Sequence, residues 1–152
     1  MSLLGKPAPT LTLAATGGDA TIPGEGPMVV YFYPKDDTPG CTKEAIGFTD
    51  AASEFQQLGV SIIGISPDTL AKHEKFRAKH ELGIRLASDE DKAAAEAFGV
   101  WVEKSMYGKK YMGIDRSTFL IDGDGKVVEE WRKVKVRDHV QTVLTAATEL
   151  FG

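Results

Sequence analysis

The chain carries one cysteine, Cys41, among 152 residues. No internal disulfide can form, which removes the main sequence argument for secretion. A Cys-x-x-Cys pair is missing as well, so dithiol exchange within the chain is excluded. Positive charge is not in excess: 18 Lys and Arg stand against 22 Asp and Glu, a net −4. That balance argues against nucleic acid or an anionic membrane as the main partner. No apolar run approaches the roughly 20 residues of a membrane span. Met1-Ser2-Leu3-Leu4-Gly5-Lys6-Pro7 lacks the basic and apolar regions of a secretory signal. A cytoplasmic protein is expected. Neither nucleotide-binding glycine motif occurs. His73 and His80 lack partners at metal-ligand spacing, and Asp122-Gly123-Asp124-Gly125 has Lys133 where a calcium loop needs its bidentate acid.

The residues that are present describe one α/β domain over 1–152. Leu11-Thr12-Leu13 and Ala20-Thr21-Ile22 form a small N-terminal hairpin around Gly17-Gly18-Asp19. Met28–Tyr33 is an apolar, β-branched and aromatic run, the mark of a strand buried on both faces. Ala45, Phe48, Ala52, Phe55 and Leu58 then recur at spacings of three and four, so residues 40–57 form a helix packed on the sheet. Val60–Ser66 is a second buried strand, which completes a βαβ unit. Helices over roughly 69–80, 92–98 and 137–150 follow, with a short extended piece at 84–86. Residues 103–115 read as a loop or extended excursion. Strands 117–121 and 126–131 flank the Asp122–Gly125 turn, and the alternating Arg132–Arg137 segment reads as an edge strand with solvated lysines. The order implies a central mixed β-sheet flanked by helices. It is the thioredoxin-like arrangement, a pattern that other small α/β folds share.

Cys41 lies where the strand gives way to the helix, in Pro34-Lys35-Asp36-Asp37-Thr38-Pro39-Gly40-Cys41-Thr42-Lys43-Glu44. Thr38 suits an N-cap, and Pro39 suits the first helical position. The sulfur then sits near unpaired N–H groups and the positive end of the helix dipole. That field favours a thiolate, a nucleophile for carbonyls, disulfides or peroxides. A lone cysteine without such a setting is more often buried and inert.

The stretch Pro34-x-x-x-Thr38-x-x-Cys41 resembles the active-site motif of the peroxiredoxins, in the form found in the bacterioferritin comigratory protein or peroxiredoxin Q subfamily. Gly64–Asp68, Gly108–Asp122 and Trp131–Val136 resemble the same subfamily. The resemblance implies a thioredoxin-like fold and a thiol-dependent peroxidase for hydrogen peroxide and organic hydroperoxides, with no metal, haem or flavin. Cys41 would attack the O–O bond and become a sulfenic acid. Arg116 would stabilise the thiolate and the charge on the leaving oxygen. Thr38 would turn its hydroxyl to the peroxide or the sulfur, backbone N–H groups around Gly40 and Cys41 would complete the pocket, and Pro34 would shield the sulfur. Glu44 would orient the charged network, or merely favour the helix dipole. Many members carry a second cysteine five residues after the first; here that position is Ile46. The sulfenic acid must therefore be resolved by an outside thiol such as thioredoxin, or glutaredoxin with glutathione, or by an intermolecular Cys41–Cys41 disulfide. The alternative is a redox sensor that oxidises once without efficient turnover. The subfamily resemblance leans toward a monomer.

Overall fold

The computed structural model describes residues 2–152. In chain order the elements are β1 (Leu11–Leu13), β2 (Ala20–Ile22), β3 (Met28–Phe32), α1 (Pro39–Gln57), β4 (Ser61–Ser66), α2 (Leu70–Lys79) and β5 (Arg85–Ser88). They continue with α3 (Ala93–Ala97), β6 (Trp101–Met106), β7 (Lys109–Ile114), β8 (Ser117–Ile121), β9 (Val127–Trp131) and α4 (His139–Phe151).

All five residues of β3 are buried, and the central sheet is built around it in the order β5-β4-β3-β8-β9. β3 pairs parallel with β4 and antiparallel with β8. β5 extends the parallel side and β9 the antiparallel side, so the sheet is mixed, as expected. Successive side chains leave a strand on opposite faces, and β3 therefore feeds two cores. Val30 and Phe32 join Ile63, Ile65, Phe98, Phe119 and Ile121 on one face. Val29, Tyr31 and Tyr33 join Cys41, Phe48 and Phe55 of α1 on the other, with Phe76 of α2 and Val143 of α4. Phe48 stacks on Tyr31 with ring centroids 4.7 Å apart, which fixes the Cys41 helix against the sheet.

Tyr31 also explains a glycine. Gly64 is its partner on β4. A Cβ there would lie 2.7 Å from the end of the Tyr31 ring and 2.8 Å from its hydroxyl. Gly64→Ala is accordingly expected to destabilise the fold by about 1–3 kcal/mol through overpacking. Urea unfolding of the variant measures it, and an unchanged midpoint would show that the ring moves aside freely.

One segment is more ordered than expected and one differs. Of the two readings for residues 103–115, a loop or an extended excursion, the extended one holds, and it forms a hairpin: β6 and β7 pair antiparallel from Trp101↔Ile114 to Met106↔Lys109. Their two-residue turn is Tyr107-Gly108, at φ 52° and 80°, the backbone that tight hairpins require. The Arg132–Arg137 segment is not an edge strand. β9 ends at Trp131, and Lys133 has a φ of 51°, which breaks any extended run. Arg132 turns inward to donate to the carbonyls of Phe98 and Gly99, each at 3.1 Å. Val134 N–H donates to the Arg116 carbonyl at 2.9 Å, which ties this segment to the start of β8. No helix among the described residues is long and apolar enough to cross a membrane.

Candidate active site

Residues 33–38 carry the chain from the end of β3 into α1. Pro39 occupies the first turn of α1 and has no N–H to offer. The first turn-closing bond is Thr42 N–H to the Thr38 carbonyl at 2.8 Å. The N–H groups of Gly40 and Cys41 thus have no helical acceptor. Thr38 has the extended backbone of an N-cap, φ −98° and ψ 154°, but its side chain makes no capping bond. Its hydroxyl donates instead to the Lys35 carbonyl at 2.9 Å, leaving the oxygen only as an acceptor. Pro34 is exposed on this loop. Ile46, on the same helix, is 37% exposed.

Cys41 is only 2% exposed. Arg116, which follows β7 by two residues, immediately precedes β8, whose first residue Ser117 pairs with Phe32 at the end of β3. Arg116 Nη2 donates to Cys41 Sγ at 3.2 Å, while Nη1 donates to Glu44 Oε1 at 2.7 Å. One planar guanidinium therefore bridges the sulfur and a carboxylate one helical turn away on α1. Burial works against the Arg116 charge, but Glu44 and Cys41 beside it hold its pKa above the ordinary value. Gly40 borders the same guanidinium: a Cβ there would lie 3.4 Å from Nη2. Cys41, Glu44, Arg116 and Gly40 are thus brought together. Thr38 stands on the adjoining loop with its hydroxyl turned to Lys35.

Glu44 is fully buried, and its second oxygen, Oε2, has no partner among the described residues. Burial pushes its carboxyl up to about 7, with Arg116 pulling the other way. A group that holds its proton more tightly when folded adds stability that is full below its ordinary 4.5 and is lost as pH rises through about 7. His139, at the start of α4, runs oppositely. Burial first, and the Arg116 charge second, push it down to about 4. Its contribution is present above 6.5 and lost as pH falls toward 4. Comparison with Glu44→Gln isolates the glutamate. The stability of that variant relative to the parent should rise by about 2 kcal/mol between about pH 5.5 and about pH 8. Urea unfolding at the two pH values measures the difference, and a constant gap would mean that Glu44 stays ionised throughout.

The AhpC/TSA family model matches residues 4–130. The chain is also 47% identical over 150 residues to peroxiredoxin Bcp of Bacillus subtilis, covering 97% of this chain and 96% of that one. The chain belongs to the peroxiredoxins of the Bcp/peroxiredoxin Q family. Its fold superposes on the bacterioferritin comigratory protein of Xanthomonas campestris with a TM-score of 0.89, at 43% identity over 93% of this chain and 92% of that one. Peroxidoxin BcpB of Mycobacterium tuberculosis gives 0.86, at 32% identity over the full length of both chains. This peroxiredoxin is a thiol-dependent peroxidase, so it requires a peroxide and a thiol reductant.

The loop into α1 also carries Asp36, whose partner His73 on α2 was weighed from the sequence only as a metal ligand. Asp36 and His73 meet in the interior with Asp36 Oδ2 2.7 Å from His73 Nδ1. A lone histidine 37 positions away carries no sequence signal of that contact.

Proposed function

We propose that Cys41 is the peroxidatic cysteine and that Arg116 is its catalytic cation. The sulfur attacks the terminal oxygen of the peroxide. An S–O bond forms, the O–O bond breaks, and the departing oxygen takes a proton to leave as water or an alcohol. Cys41 is then a sulfenic acid, oxidised by two electrons. A first thiol condenses with it, releases water and leaves a mixed disulfide. A second thiol attacks the reductant's sulfur in that disulfide, so the two reductant thiols leave joined as a disulfide and Cys41 departs as the thiolate. The single observation that carries this reading is the guanidinium at 3.2 Å from the sulfur. It supplies fixed positive charge both to the attacking sulfur and to the oxygen on which negative charge develops.

The other assignments follow from position. Gly40 keeps the guanidinium accessible, and the N–H groups of Gly40 and Cys41 serve the pocket. Thr38, its proton committed to Lys35, offers an oxygen that can accept a hydrogen bond from the peroxide. Pro34 closes the outer side of the pocket, and Glu44 holds Arg116 in line through Nη1. Organic hydroperoxides belong among the substrates beside hydrogen peroxide: the related Xanthomonas campestris protein is described for alkyl peroxide reduction. Cys41 is the only thiol, so the reductant is external, thioredoxin or glutaredoxin with glutathione. The whole cycle is assigned to one cytoplasmic, monomeric domain.

The test is mass spectrometry of the peroxide-treated protein with each thiol in turn. A single added oxygen on Cys41, replaced by a thiol adduct and then by free cysteine, is the expected series. Absence of oxidation at Cys41 would overturn the reading. The lone cysteine also favours a second reading, a sensor that oxidises once. Failure of multiple turnover with thioredoxin, glutaredoxin–glutathione and dithiothreitol alike would select it.

A further inference from the structure

The loop that leads into Cys41 is fastened from beneath by a buried polar cluster. Asp36 is 8% exposed and His73, on α2, is fully buried. The Tyr33 hydroxyl donates to Asp36 Oδ1 at 2.5 Å. His73 Nε2 lies 2.9 Å from the Ala87 carbonyl on β5. A carbonyl only accepts, so Nε2 carries hydrogen. Nδ1 then faces Asp36 Oδ2 at 2.7 Å, with the proton of that contact on one partner or the other. The Asp36 backbone is held as well: its N–H donates to Asp68 Oδ2 at 2.8 Å, and Ser66 Oγ donates to the same oxygen at 2.7 Å. Asp36 thus touches α2 through its side chain and the β4–α2 connection through its backbone. The outer contacts of Asp37 with Lys79 and His80 are exposed to water and contribute little.

We propose that Asp36 and His73 form a latch that holds the 34–38 loop closed over Cys41. They are positioning residues for the peroxide step, and they restrain the exposure of Cys41 that the thiol step needs. The proposal rests on the assignment of Cys41 as the reacting group. At 2% exposure the sulfur admits a peroxide more readily than a bulky thiol. The oxidised sulfur must come outward to be resolved. The piece whose displacement would bring the sulfur outward is the loop with the first turn of α1, which begins at Pro39. Moving that piece draws Asp36 away from His73. Breaking this buried hydrogen bond leaves desolvated polar groups unpaired, at a high cost, so the latch opposes opening.

A weakened latch therefore affects the two half-reactions in opposite senses. In Asp36→Asn, the rate of Cys41 oxidation by hydrogen peroxide in a single turnover should fall about fivefold to tenfold, while the rate at which the oxidised protein reacts with dithiothreitol should rise by a similar factor. Tyr33→Phe removes only the hydroxyl and should shift both rates in the same senses, by less. It also serves if Asp36→Asn does not fold. Both rates falling together, or both staying at the parent value in a folded variant, would overturn the latch. A parent protein whose Cys41 peroxide leaves untouched would instead overturn the functional reading, which separates the two failures.

Discussion

A Cys41→Ser protein is expected to lose all thiol-dependent turnover of hydrogen peroxide. The substitution is nearly isosteric, and Arg116 Nη2 can donate to a hydroxyl oxygen as it does to the sulfur 3.2 Å away. Folding should survive, with a change in stability within about 1 kcal/mol. Chemistry should not. The attack on the O–O bond needs a polarisable thiolate, and a serine hydroxyl stays protonated and poorly nucleophilic beside the same cation. No second thiol can take over. The slow route left is oxidation of the thioethers, with Met106 and Met112 56% and 49% exposed. That route would consume peroxide once and without turnover. Peroxide decay followed in the presence and absence of reductant separates the two. Parent-like consumption by the serine variant would remove Cys41 from the mechanism.

The legibility of this site followed the range of its interactions. Cys41 could be found because strand, proline-rich turn and amphipathic helix are consecutive, so the local field at the sulfur is written in neighbouring residues. Arg116 is 75 positions away. Nothing in its own neighbourhood distinguishes it from a solvated arginine, and only resemblance to the peroxiredoxins pointed to it. Thr38 shows the limit of local rules. Its backbone is that of an N-cap, but Lys35 offers its hydroxyl a carbonyl at 2.9 Å, and the side chain takes that bond instead.

The fold was read correctly where burial imposes a period. β3, β4 and β8 are buried through most of their length, and α1 presents a clear apolar stripe. The β6–β7 hairpin escaped because much of its length is exposed on both faces, so no alternation marks it. Arg132 escaped for the opposite reason. Alternating basic and apolar residues suggested water on one side, whereas the guanidinium is folded onto the Phe98 and Gly99 carbonyls and over the Phe119 ring. These contacts depend on where α3 ends relative to β8, which no local pattern encodes.

Arg116→Ala should slow Cys41 oxidation by roughly 10²–10³-fold, the range seen when one preorganised donor to a developing oxyanion is lost. It should also destabilise the protein, because Glu44 is fully buried and would lose its ion-pair partner. The two consequences have different owners and can be separated. Adding Glu44→Gln to Arg116→Ala removes the unpaired buried carboxylate, so the melting temperature should recover toward the parent. The oxidation rate should not recover, since the charge next to the sulfur is still missing. Arg116→Lys sharpens the distinction: it restores one positive charge but cannot hold Sγ and Glu44 Oε1 with a fork of parallel donors. Its rate is expected to lie between the parent and the alanine variant. A double variant whose rate returned together with its stability would show that Arg116 acts only by holding α1 in place through Glu44.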